Sequence, residues 1–216
     1  MTSKPPNFMN SRILFFDTET TGLPRDKRLN ALLGRANWPD LVSISWIVCE
    51  GGKPVKKETH IVRPQGWNIS AEVAKIHGIT DEIAHERGEP LREVLHKFTT
   101  DLRTCNYIVA HNMEFDRNVL HAAYKWRLNA DPREFWPYEA EVCTMVLSRD
   151  ELKLPAKYPK PNDPYKLPRL DELYEATFNA KAPAGAHSAD RDTEVLTAIF
   201  WERWGTYLPP KPPLPI

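Results

Sequence analysis

Four apolar residues, Ile13 to Phe16, run without a polar break into Asp17-Thr18-Glu19-Thr20-Thr21-Gly22, the pattern of a buried strand that ends at a turn. Apolar and small residues then alternate from Leu41 to Cys49, a turn follows at Glu50-Gly51-Gly52-Lys53, and Val55 to Val62 returns. This is a hairpin, and with the opening strand it begins an antiparallel meander. Ser70 ahead of AEVAKIHG and Gly78 at its close bound a short helix. Leu91, Val94, Leu95, Phe98 and Leu102 recur at helical spacing after Pro90, so a longer amphipathic helix packs there. Tyr107 to Ala110 is a short apolar strand ended by His111-Asn112, and a helix runs from about Met113 to Leu128. Helices resume at Leu170 to Phe178 and from Ser188 to about Trp204. Strands first, then helix, strand and helices, indicate a mixed α/β layer fold.

Two stretches break the periodicity. Pro24 to Pro39 carries Arg25, Lys27, Arg28 and Arg35 against Asp26 alone, and reads as a basic connection with a short helix around Leu29 to Leu33. Leu152 to Pro168 contains Pro155, Pro159, Pro161, Pro164 and Pro168 among Lys153, Lys157, Lys160 and Lys166, which excludes a regular helix or a central strand. The ending LPPKPPLPI is expected to extend as polyproline II. The organisation read from the chain is a single domain over 1–206 with a proline-rich loop at about 152–168. A proline-rich tail at 207–216 follows, which could dock a protein partner.

Composition narrows this picture only modestly. A length of 216 residues suits one domain with its own core. With 29 acidic and 29 basic residues the formal net charge is zero, so a nucleic-acid partner has to be held by a local patch. MTSKPPNFMN lacks the apolar core of a signal peptide, and the longest apolar runs are too short to span a bilayer. The expectation is a soluble, cytoplasmic protein without a membrane partner. Cys49, Cys105 and Cys143 are odd in number and widely spaced, which suits reduced packing thiols rather than disulfides or a zinc site.

The carboxylates change the picture more. Side chains alternate along a strand, so Asp17 and Glu19 share a face. Asp116 lies three and four residues before Val119 and Leu120, and Asp192 stands in the same relation to Val195 and Leu196. Each helix therefore aims an acid along its apolar stripe. A lone acid of this kind reads as a helix cap or half of an ion pair. Four together, with no lysine or arginine of these motifs placed on the same face, make an oxygen-rich cavity suited to Mg²⁺ or Mn²⁺. Two such ions can clamp the attacking and leaving oxygens of a phosphodiester. His187 precedes Asp192 by five residues and falls in the loop before the helix if Ser188 is its N-cap. There it can accept a proton near neutral pH.

DTETTGL at Asp17 to Leu23, AHNMEFDRNVL at Ala110 to Leu120 and the His-x4-Asp of His187 to Asp192 resemble the three motifs of the DEDDh 3′ to 5′ exonuclease family, to which the proofreading epsilon subunit of the bacterial replicative polymerase belongs. IHGIT at Ile76 to Thr80 resembles a further segment of that family, and the likeness runs in order over roughly residues 12 to 204. The resemblance implies an RNase H-like fold: a mixed sheet, antiparallel meander plus parallel strands, flanked by helices. It implies that Asp17, Glu19 and Asp192 hold two metal ions, that Asp116 helps to hold the second, partly through water, and that His187 is the general base. It further implies that backbone around Thr18 and Thr20 binds the terminal nucleotide, that Leu23 wedges against its base, and that His77, Asn112 and Phe115 shape the pocket. The expected activity is Mg²⁺- or Mn²⁺-dependent release of nucleoside 5′-monophosphates from 3′ ends, preferentially of single-stranded or frayed DNA. The lysines of the proline-rich loop read either as a solvated face, the usual case, or as a basic rim for phosphates; the rim is favoured because an acidic metal cavity repels a polyanion and something must offset that. An RNA-trimming exonuclease of the same family and a non-catalytic nucleic-acid-binding module stand as alternatives.

Overall fold

The computed structural model describes residues 8–161, 163–183 and 187–206; the proline-rich tail at 207–216 lies outside them. A five-stranded sheet, in the order β3-β2-β1-β4-β5, forms the centre. Its strands are β1 (Arg12–Thr20), β2 (Leu41–Glu50), β3 (Lys53–Ile61), β4 (Tyr107–Ala110) and β5 (Glu141–Cys143). The β1-β2 and β2-β3 pairs are antiparallel, whereas β1-β4 and β4-β5 are parallel, so the expected meander is joined to a parallel half.

Strand alternation sends the side chains of β1 into two cores. Leu14 and Phe16 join Ile44, Trp46 and Val48 beneath α3 (Leu91–Leu102) and α4 (Met113–Ala122). Ile13 and Phe15 join Ile47 and Cys49 on the opposite face, under α5 (Thr144–Leu152), α6 (Leu170–Phe178) and α7 (Ala189–Trp204). Residues 13 to 16 are each 0% exposed, which is why an uninterrupted apolar run was required: a strand covered on both faces has no solvent side. The predicted short helix is α1 (Ala71–His77), with the Ser70 hydroxyl accepting from Val73 N–H and Gly78 at φ 77° closing it. A second short helix, α2 (Asp81–Arg87), is capped in the same way by Thr80. The long predicted helix from Met113 is α4 followed by a π-helical turn over Ala123–Arg127.

The basic connection contains no helix at Leu29 to Leu33; residues 26 to 37 form consecutive turns. Side chains satisfy the backbone groups that a helix would have paired internally. Asn37 donates through Nδ2 to the Asp26 carbonyl at 2.7 Å and accepts from Asp26 N–H at 2.8 Å. Asn118 accepts from Ala31 N–H at 3.0 Å, and the indoles of Trp38 and Trp126 donate to the Leu29 and Ala31 carbonyls at 2.8 and 2.7 Å. The proline-rich stretch forms a separate exposed ribbon of β6 (Pro155–Lys160) and β7 (Asp163–Tyr165), in keeping with prolines that cannot enter a central strand.

Asn37→Ala leaves the Asp26 N–H and the Asp26 and Leu29 carbonyls without their partner. Because Asn37 is buried, the expected loss is about 2–4 kcal/mol of unfolding free energy, measured by urea denaturation; a change within about 0.5 kcal/mol would show that the loop is held otherwise.

Candidate active site

The parallel half of the sheet positions the site. Phe15 pairs with Val109, so the chain leaving β4 turns at the level where β1 carries its acids, and α4 starts beside them. Asn112 makes that turn in the left-handed region at φ 75° and ψ 47°, a conformation asparagine tolerates better than most residues. Asp17 and Glu19 continue the face of Ile13 and Phe15 toward α7. Asp192, in the first turn of α7, meets them: one carboxylate oxygen from each of Asp17, Glu19 and Asp192 lies within 4.8 Å of the other two.

Asp116 reaches the site from the other face. It is buried, and its Oδ1 accepts from the Thr18 hydroxyl at 2.6 Å. It stands outside the close trio, yet it is near enough to act on the charge of Asp17. The Thr18 bond belongs to tertiary structure. Thr18 points away from its neighbours Asp17 and Glu19, toward the helix that supplies the fourth acid.

Four acids in one place resist ionisation. Burial, followed by repulsion from Asp116, Glu19 and Asp192, holds the Asp17 carboxyl well above the usual carboxylate range. Burial and then Asp192 and Asp116 push Glu19 up to about 8, and burial pushes Asp116 up to about 7 against the Thr18 hydrogen bond. Asp192 is raised by burial but eased by Arg191. Here the expectation of no basic residue on this face is corrected: Arg191 Nη1 lies 2.7 Å from Asp192 Oδ1. Adjacent helical residues point about 100° apart, so their spacing hides the pair; the long guanidinium arm reaches back, and it also donates to the Pro183 carbonyl. Once ionised, as a bound cation would favour, the four carboxylates outweigh the one arginine. An oxygen-only donor set with uncompensated charge fits a hard divalent cation.

His187 is exposed and adopts φ 68°, and its backbone N–H supports the Asp192 carboxylate. Ser188 is the N-cap residue of α7, as expected, although its hydroxyl donates to Asp190 rather than capping the backbone. Among the remaining predicted residues, Leu23 is 83% exposed beyond the end of β1. His77 is buried and accepts from Ile79 N–H at 3.1 Å, and burial lowers its pKa. The Thr20 hydroxyl donates to the Gly22 carbonyl at 2.7 Å, shaping the turn. Phe115 packs on Trp38 with ring centroids 5.8 Å apart.

Residues 14–200 match the family model RNase_T, described as exonuclease. The chain belongs to that exonuclease family. It is 29% identical over 192 residues to DNA polymerase III PolC-type of Mycoplasmopsis pulmonis (strain UAB CTIP), covering 89% of this chain and 11% of the relative. Exonuclease I of E. coli in complex with a dT13 oligonucleotide superposes with a TM-score of 0.67 at 17% identity, covering 90% of this chain and 41% of that one. A moderately thermophilic exonuclease I from Methylocaldum szegediense gives 0.63 at 20% identity, covering 89% and 40%. The chain thus spans well under half the length of these proteins, and the structural likeness establishes the RNase H-like fold. Among the described residues no helix is long and apolar enough to cross a membrane.

The raised carboxyls set a pH dependence. The Glu19 carboxyl, ordinarily near 4.5, is pushed up to about 8 in the folded protein, so between these values the folded state holds more protons and stability falls as pH rises. In EDTA the Tm is expected to decline from pH 5 to pH 8, and Mg²⁺ to raise it more at pH 8 than at pH 5. Differential scanning fluorimetry would expose the error if the Mg²⁺ increment were equal at both pH values.

Proposed function

We propose that this chain is a divalent-metal-dependent 3′ to 5′ exonuclease that cleaves the terminal phosphodiester of single-stranded or frayed DNA and releases nucleoside 5′-monophosphates. The observation that carries the reading is the convergence of Asp17, Glu19 and Asp192 within 4.8 Å in a member of an exonuclease family. In this reading Asp17, Glu19 and Asp192 hold a pair of Mg²⁺ or Mn²⁺ ions, and Asp116, oriented by Thr18, helps to hold the second. The ions, when bound, supply Lewis acidity toward the phosphate and make water acidic enough to deprotonate near neutral pH.

His187 accepts the proton of the attacking water on its imidazole, and its exposed position ahead of α7 leaves that ring open to solvent. Backbone around Thr18 and Thr20 binds the terminal nucleotide, and Leu23, standing clear of the core, wedges against its base. His77 fixes the backbone beside Thr20, while Asn112 and Phe115 shape the wall under α4. A base has to be unpaired to enter such a cavity, which favours single-stranded ends. DNA rather than RNA is supported by the named relatives, a DNA polymerase and an exonuclease carrying oligothymidylate. On the proline-rich ribbon, Lys166 pairs with Glu172, so the basic rim reduces to Lys153, Lys157 and Lys160. A protein partner for the proline-rich tail belongs to this proposal as well.

End-labelled single-stranded DNA, single-stranded RNA and mismatched duplex, incubated in Mg²⁺, Mn²⁺ or EDTA, test the reading. Shortening from the 3′ end to 5′-monophosphates is expected with DNA and either metal, and none in EDTA. Asp17→Ala should abolish turnover. His187→Ala should reduce kcat roughly 10²–10⁴-fold, the range of general-base catalysis, while oligonucleotide binding persists. Undiminished hydrolysis in EDTA or by Asp17→Ala would defeat the assignment, and faster digestion of RNA than DNA would select the RNA-trimming alternative.

A further inference from the structure

A concavity of about 550 Å³ opens just beyond the end of β1, with Thr21 in its lining. It lies between the turn-rich connection after β1 and the end of α4, and its lining includes Leu23, Arg25, Arg35, Asp40, Trp126 and Arg127. Leu23 is only four residues from Glu19, so this wall of the groove lies within about 14 Å of chain from the acids of β1.

Its charge is unlike that of the cluster. Three arginines line it against one aspartate, in a chain whose formal net charge is zero. The aspartate is already neutralised: Arg127 grips Asp40 with Nε to Oδ1 and Nη2 to Oδ2, both at 2.8 Å. Arg25 and Arg35 are exposed and have no carboxylate partner among the described residues. Other charges of the same loop behave differently. Arg28 is paired with Asp26, and neither Arg28 nor Lys27 lines the groove. The walls are fixed rather than adaptable. The indole N–H groups of Trp38 and Trp126 are committed to the Leu29 and Ala31 carbonyls; Trp38 is buried against Phe115, and the half-buried Trp126 offers a ligand ring surface, which suits bases of any sequence.

We propose that this groove binds the nucleotides immediately preceding the 3′ terminal one, with Arg25 and Arg35 as the phosphate-contacting residues. Two unpaired guanidiniums in a groove that begins within a few residues of the acids of β1 match a polyanion that those acids alone would repel. The proposal rests on the exonuclease reading for the direction of the strand, and its test is a binding measurement that does not depend on turnover.

Fluorescein-labelled oligothymidylates, one of twelve nucleotides and one of two, are titrated in EDTA by anisotropy across a series of salt concentrations. For the longer probe, Arg25→Ala/Arg35→Ala is expected to flatten the slope of log Kd against log salt by about 1.4, two contacts at about 0.7 each. The dinucleotide, which brings only one internal phosphate to the groove, should show at most half of that change. Lys27→Ala/Arg28→Ala removes the same charge from the same loop outside the groove and should change the slope by less than half as much. An unchanged slope in the groove variant, or an equal change in the control, overturns the proposal. If the wild-type chain binds with the expected slopes but hydrolyses nothing in Mg²⁺, the groove stands and the exonuclease reading falls; hydrolysis with a wild-type slope in the groove variant gives the reverse. Failure of the wild-type chain to bind the longer probe overturns the groove, and hydrolysis in Mg²⁺ then decides the exonuclease reading on its own.

Discussion

Repulsion among buried carboxylates is the constraint around which this molecule is built. Asp17, Glu19 and Asp192 meet within 4.8 Å; burial combined with the neighbouring acids holds Asp17 and Glu19 well above the usual carboxylate range, and burial raises Asp192 against the pull of Arg191. A fold can hold such a cluster only if the elements carrying it are fixed by interactions elsewhere, because the cluster itself pushes them apart. The two cores of β1 provide this. Leu14 and Phe16 anchor it to α3 and α4, Ile13 and Phe15 anchor it to α7, and each fully buried side chain of this kind contributes roughly 1.5–3 kcal/mol.

The same alternation explains how acids from opposite faces serve one place. Odd positions of β1 carry the two acids toward α7, while Thr18 points to the other face and holds Asp116 on α4. Helix beginnings add to this. Asp116 and Asp192 both lie in the first turn of their helices, where the macrodipole favours negative charge. Arg191 offsets part of the charge of Asp192 while tying it to the segment at Pro183, so the metal-free cluster is not wholly without a cation.

Charge is sorted in space although it cancels in total. Acidic groups gather at the end of β1, and the connection that follows presents arginines whose neighbours are committed to other partners. That connection owes its shape to side chains. Asn37, Asn118, Trp38 and Trp126 satisfy backbone groups that no helix or sheet pairs. Gly34 permits Leu29 to close over it, since a Cβ there would meet Leu29 Cδ2 at 2.6 Å. A loop braced in this way can present arginines at fixed positions without being part of a regular element.

Local pattern was sufficient for the strands β1 to β4, for α1, α3, α4, α6 and α7, and for the acids that face inward, because burial on one face or two writes a period directly into the chain. The helix expected at Leu29 to Leu33 was not formed: its backbone groups are paired by the side chains of Trp38, Asn118 and Trp126, partners that no local period reports. The helix α2 was overlooked although Thr80-Asp81-Glu82 is a helix-start signal, and α5 follows a three-residue strand too short to register a period. Only tertiary structure decided that Thr18 would hold Asp116, that Arg191 would turn back onto Asp192, and that arginines ten residues apart would share a groove. Each depends on distances across the chain between side chains, and a one-dimensional pattern carries the direction in which a residue points but not what it meets there.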